Sequence, residues 1–255
     1  MPFVTTTTVW PCFYVPVGRN YDDQPLLRGK QFAQFGRQTL HRESTTNTRS
    51  CPMPPKMIYQ FKITLKETHP PVWRRNQAPS TYTFWDLHVA IQDAMGWLDC
   101  HLHEFRIKAK TGENLVLGIS SENDDFFLVD EKILPGWKHK ISKFETLIPA
   151  TFVYEYDFGD GWRHKIDFEE IKPGEAGVTY PRCIKGKRAC PPEDCGGAWQ
   201  YPALLAILAD TVHEEHLEMK AWVESQTGGP FNPEYFDPTK VAFSDPKKRY
   251  KESFE

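Results

Sequence analysis

The sequence predicts an α+β fold: an antiparallel or mixed sheet with a β-β-α-β start, a central aromatic hairpin and a C-terminal helical pair. Three observations predict it. IYQFKITL and HLHEFRIK alternate apolar with polar residues, a helix with capping signals lies between them, and a Gly-Asp-Gly turn joins two aromatic-rich runs. Period 2 marks half-buried strands and period 3.6 an amphipathic helix; their alternation without repeated β-α units favours α+β.

In Ile58–Leu65 the residues Tyr59, Phe61, Ile63 and Leu65 share one face. HPPVWRRNQAP supplies a turn and a partner strand. Thr83 with Asp86 three residues later is a helix-start signal, and Phe84, Leu87, Ile91, Ala94 and Met95 form the apolar stripe that Gly96 ends. The hairpin spans Phe152–Glu169. A three-residue loop at Gly159-Asp160-Gly161 pairs Phe158 with Trp162, Tyr156 with His164, Tyr154 with Ile166 and Phe152 with Phe168. It also sets Asp157 against Arg163 and Glu155 against Lys165. Two helices follow a cysteine-bearing loop, with predicted faces Ala203, Leu204, Ile207, Leu208 and then Leu217, Ala221, Trp222.

Residues 1–56 lack either period and end in CPMPPK, so they are expected to be a disordered extension, or a gene-model artefact with translation starting at Met57 or Met53. The ordered domain is expected over residues 57–243, with 244–255 a charged, frayed tail. The extension carries seven Lys/Arg against three acidic residues, a net +4; the other 24 basic and 31 acidic residues leave −7. So acidic a body is a poor candidate for non-specific nucleic-acid binding, which depends on Lys/Arg neutralising phosphates. No apolar run reaches membrane-span length, and the start is a poor signal peptide; the expectation is a soluble cytoplasmic protein with no membrane contact.

Clustered thiols are the sharpest chemical signal. Cys183, Cys190 and Cys195 lie in one short stretch, and thiolates hold zinc tetrahedrally with a fourth ligand. His164 is the first candidate for that ligand and His216 the alternative, which makes zinc the candidate cofactor. The competing interpretation is three small buried residues in a Gly/Pro-rich loop. His101 and His103, one residue apart on a predicted strand, project to the same face and are read first as hydrogen-bonded histidines. Asp157 and Asp160 flank a glycine and have structural jobs in the hairpin. There is no Walker, dinucleotide, nucleophile-elbow or His-Glu-x-x-His motif.

Several separate strings resemble the plasmid pRiA4b ORF-3-like protein family. They are Tyr59-Gln-Phe-Lys-Ile, Pro71-Val-Trp-Arg-Arg, Phe84-Trp-Asp-Leu-His-Val-Ala-Ile-Gln, Met95-Gly-Trp and His101-Leu-His-Glu-Phe. Further on come Tyr156-Asp-Phe-Gly-Asp-Gly-Trp-Arg-His, Cys190-Pro-Pro-Glu-Asp-Cys-Gly-Gly and Phe231-Asn-Pro-Glu-Tyr-Phe-Asp. Gln200 departs from the family's glycine, and residues 1–56 have no counterpart. The resemblance implies an α+β domain of bacterial, archaeal and mobile-element contexts, and no mechanism.

Two functions follow as expectations. The first is a non-enzymatic accessory or interaction module of mobile-element or plasmid type, zinc-stabilised, with an unidentified protein partner. The second is a metal-dependent hydrolase or nuclease using His101, His103, Asp157, Asp160 and His164 around a divalent ion. Convergence of those histidines and aspartates in an open cleft separates the two.

Overall fold

Alternation in the first apolar run produces β1 (Met57–Leu65), with Tyr59, Phe61, Ile63 and Leu65 all buried on the core side. The computed structural model describes residues 56–119, 133–146 and 150–255. The extension expected over 1–56 thus lies outside the described residues, apart from Lys56. β2 (Trp73–Pro79) returns antiparallel, with Ile58 opposite Pro79 and Thr64 opposite Trp73.

α1 (Phe84–Met95) begins where expected. Thr83 accepts from the Asp86 amide while the Asp86 carboxylate accepts from the Thr83 amide, a reciprocal cap. Gly96 ends the helix at φ 84°, a left-handed conformation that costs glycine least. Its buried residues include the whole predicted stripe.

Six further strands complete one sheet: β3 (His103–Lys108), β4 (Asn114–Gly118), β5 (Ile133–Pro135), β6 (Thr151–Tyr156), β7 (Trp162–Pro173) and β8 (Arg182–Lys187). Among the described residues the sheet has eight strands in the order β5-β4-β3-β6-β7-β1-β2-β8. Every pairing is antiparallel except β4 with β5, so the sheet is mixed and the fold α+β. α2 (Gly197–Ala209), α3 (His216–Thr227) and α4 (Pro246–Phe254) follow. No described helix is long and apolar enough to cross a membrane.

The hairpin has its aromatic face buried, but its register differs from the expected one by two residues. Tyr156 faces Trp162, Tyr154 faces His164, Phe152 faces Ile166 and Glu155 faces Arg163. The loop therefore has five residues, 157–161, and Phe158 is exposed. Asp157 leaves the ladder at φ 56° because its amide donates to the Leu102 carbonyl and its carboxylate accepts from the Gly159 amide. A shift of two preserves which side chains share a face, so alternation alone could not detect it.

Three other expectations are corrected. Cys183 lies on edge strand β8, opposite Asn76, rather than in a loop. Leu217 is exposed, and α3 buries His216 and Val223 instead. The charged tail is helical: Asp245 caps α4, and Arg249 pairs with Asp93 at 2.6 Å. Tyr250 and Phe254 stand edge-on to Trp85, whose Nε1 donates to the Pro246 carbonyl. Aromatics spaced by four residues on a short basic helix gave α4 an apolar face that its charge obscured.

Candidate metal centre

Three segments distant in sequence bring ligands to one point. Among the described residues, His101, Asp157 and Asp194 are the one group of three or more metal-ligating side chains whose ligand atoms all lie within 4.8 Å of one another. His101 Nε2 is 3.2 Å from Asp194 Oδ1 and 3.7 Å from Asp157 Oδ2. It is shielded from solvent and makes no hydrogen bond among the described residues. Two ligands each ~2.0–2.1 Å from a tetrahedral ion stand about 3.3 Å apart, so these separations fit one shared ion. An imidazole with two carboxylates suits zinc or manganese.

Local backbone places each ligand. His101 precedes β3, and its ring stands edge-on to Tyr156 with centroids 5.7 Å apart. Asp157 and Asp194 both have left-handed φ, 56° and 58°. Asp160 braces the two loops: its carboxylate accepts from the Gly196 amide at 3.1 Å. Asp160's carbonyl lies so close to Gly197 that a Cβ there would stand 2.2 Å from the oxygen. Burial raises the Asp160 pKa. Beside Asp194, Glu193 accepts from the Tyr156 hydroxyl and from the Leu98 amide, and burial raises its pKa as well.

The predicted site residues separate. His101 and Asp157 converge, whereas His103 turns into the core and stacks on His88, and Asp160 serves the loop seam. His101 lies outside the strand, so the pair does not share a face as expected. Cys183, Cys190, Cys195 and His164 do not form a cluster of the same closeness among the described residues. All three cysteines are free thiols. β8 holds Cys183 on the sheet, where its thiol donates to the Lys185 carbonyl, whereas Cys190 and Cys195 lie beyond the strand's end. Burial pushes the Cys195 thiol up to about 12 and raises Cys183 and Cys190 too, so the neutral thiol form is favoured in each. His164 is fully buried, its ring nitrogens have no well-formed hydrogen bond among the described residues, and burial pushes it down to about 3. The His216 Nδ1 lies 3.0 Å from the Ile207 carbonyl, bracing the turn between α2 and α3. Asp194 escaped the sequence reading because it sits among cysteines and prolines that drew attention to sulfur; its acidic-then-Gly-Gly setting was the available signal.

The chain matches the family described as plasmid pRiA4b ORF-3-like protein over residues 57–240. It is 34% identical over 168 residues to the uncharacterized protein y4hQ of Sinorhizobium fredii, covering 66% of this chain and 81% of that protein. The crystal structure of MM3350, a protein of unknown function from Methanosarcina mazei Go1, superimposes with TM-score 0.65 and 41% identity. That alignment covers 74% of this chain and 100% of the archaeal one.

Proposed function

Because the chain belongs to the plasmid pRiA4b ORF-3-like protein family, a name that carries no chemistry, we propose its function from the site alone: it binds a divalent cation through His101, Asp157 and Asp194 and serves as a metal-dependent hydrolase. The observation that carries this reading is the unbonded His101 Nε2 held between two carboxylates at ion-sharing distances. Three protein ligands with a solvent-facing Asp194 suit an open site rather than a closed structural one. A bound ion there supplies Lewis-acid activation of water. The chain's own part is to hold the ligands: Leu102 and Gly159 fix Asp157, and Tyr156 walls the His101 ring.

The test is calorimetric titration of EDTA-stripped protein with Zn²⁺ and Mn²⁺. One saturable site per chain is expected, lost in Asp157→Asn and His101→Ala and kept in Cys190→Ser. No saturable binding, or undiminished binding by Asp157→Asn, overturns the reading; loss in Cys190→Ser returns zinc to the cysteines. Metal-dependent hydrolysis of p-nitrophenyl phosphate or acetate by wild type, absent in Asp157→Asn, then tests the activity.

One observation favours the second reading, an accessory module that binds a protein partner. Trp199, Val212 and Leu217 near the α2–α3 pair are 89%, 88% and 78% exposed, and large exposed apolar side chains are common at interaction surfaces. Sedimentation of Trp199→Ser and Leu217→Ser against wild type tests whether this face associates.

A further inference from the structure

Arg74 carries a positive charge into the interior and meets no carboxylate among the described residues. It is 1% exposed. Its Nε donates to the Ala94 carbonyl at 2.8 Å, and its Nη1 to the carbonyls of Trp73 and Lys187 at 2.9 and 3.1 Å. The Phe236 ring covers one face of the guanidinium at 3.6 Å. Nη2 has no acceptor among the described residues. Carbonyl dipoles and an aromatic face soften the burial of a cation without neutralising it, and a buried charge left unpaired is costly. Arginine stays protonated even when burial lowers its pKa, as it does here.

Arg74 lines a cleft of about 410 Å³, within the range of small-molecule sites. Trp97, Phe231 and Tyr235 supply aromatic wall, and Trp97 is fixed by its Nε1 donating to the Pro191 carbonyl. Exposed Lys240 adds a second cation. Three carboxylates also line the cleft, and each is engaged. Asp93 is held by Arg249 and Ser244, Glu193 by Tyr156 and the Leu98 amide, and Asp237 by Thr239. The neighbouring thiols Cys183 and Cys190 are kept neutral by burial and offer no counter-charge. Neutral donors leave Glu193 and Asp237 charged, so the lining has no overall positive excess; what the cleft offers an anion is the Arg74 guanidinium, which has no ion-pair partner among the described residues.

We propose that this cleft is a binding site for a small organic anion, a carboxylate or phosphate monoester on a flat ring, whose acid group pairs with Arg74 Nη2 while the ring lies against the aromatic wall. This assignment stands apart from the metal site, and the experiment separates the two by running in EDTA. Wild-type protein is titrated calorimetrically with benzoate, phenyl phosphate and neutral benzamide. Saturable binding of at least one anion, with benzamide much weaker, is the expected result. Arg74→Gln weakens that binding by about tenfold or more, the loss expected for a charge-assisted hydrogen bond. Lys240→Glu, at an exposed position, weakens it several-fold without changing the melting temperature. Failure of both anions to saturate, equal binding of benzamide, or wild-type affinity in Arg74→Gln overturns the proposal. Should Arg74→Gln not fold, Lys240→Glu decides: unchanged anion affinity in that variant also overturns it.

Discussion

The imidazoles of His88 and His103 lie face to face, their centroids 3.4 Å apart and their planes within 8°. The His88 Nδ1 lies 2.8 Å from the Tyr154 hydroxyl and Nε2 2.8 Å from Asp99 Oδ1, so that ring is anchored at both edges. His103 Nδ1 has no partner among the described residues, and burial first, then His88, holds its pKa well below the usual histidine value. A stack of this kind, with one ring nitrogen unbonded, belongs to a neutral His103.

Buried neutral histidines make stability depend on pH. His164, at about 3, faces Tyr154 across the hairpin and Leu65 on β1, with Arg74 as the neighbouring charge. Below about pH 6.5 the unfolded chain protonates this histidine and the folded chain does not, so the unfolded state binds more protons and stability falls as pH falls. For His164 alone the loss from pH 7 to pH 5 is about 2 kcal/mol. Urea unfolding at the two pH values checks this, and His164→Leu is expected to show a shallower dependence.

Trp162 is 1% exposed and Trp199 89% exposed. Trp162→Ala is therefore expected to cost about 3–5 kcal/mol, and Trp199→Ala within about 0.5 kcal/mol of zero. Denaturant midpoints of the two variants, compared at equal m-value, measure the difference.

Gly197 and Gly228 have nearly the same backbone, φ 70° and 73°, in different surroundings. A Cβ at Gly197 would meet the Asp160 carbonyl, whereas nothing lies within 4 Å of one at Gly228. Gly228→Ala is expected to cost about 1 kcal/mol, the left-handed penalty alone. Gly197→Ala adds the clash, about 2–4 kcal/mol in all, and separates the loop carrying Asp157 from the one carrying Asp194. Thermal melts and Zn²⁺ titration of both variants test this.

Arg249 is the hinge pin of α4. It reaches Asp93 at 2.6 Å and Asp99 at 3.5 Å, and both carboxylates have side chains only 8% exposed. Arg249→Ala removes the cation paired with Asp93, leaving that poorly hydrated acid only its bonds from Ser244, while Asp99 keeps His88; the expected cost is about 2–3 kcal/mol. Arg249→Lys recovers part of that in the same unfolding experiment.

Local chemistry explains which features were readable beforehand. The first sheet strands and α1 announce themselves because Phe61, Leu87 and their neighbours repeat with the period of their own element and need no distant partner. The hairpin register was not readable, because what bends the chain at Asp157 is the Leu102 carbonyl, far away in sequence. The same reason hid the ligand triad. His101 and Asp157 were visible as candidates, but Asp194 joins them through long-range contacts, the seam between Asp160 and Gly196 and the bonds of Glu193 to Tyr156 and Leu98. Nothing local marks Arg74 as buried, because the Phe236 ring that covers its guanidinium lies far along the chain.

The place of β1 in the sheet bears on how the chain is made. Its neighbours are β2, which leaves the ribosome directly after it, and β7, which is synthesised much later; Leu65 must find His164. Until then one border of the strand bearing Tyr59, Phe61 and Ile63 has no ladder partner. Topologies that rest on such late pairings assemble slowly and leave sticky strand borders open meanwhile. Fragments ending before Trp162 should therefore accumulate as inclusion bodies, and cool, slow expression should favour recovery of the whole chain.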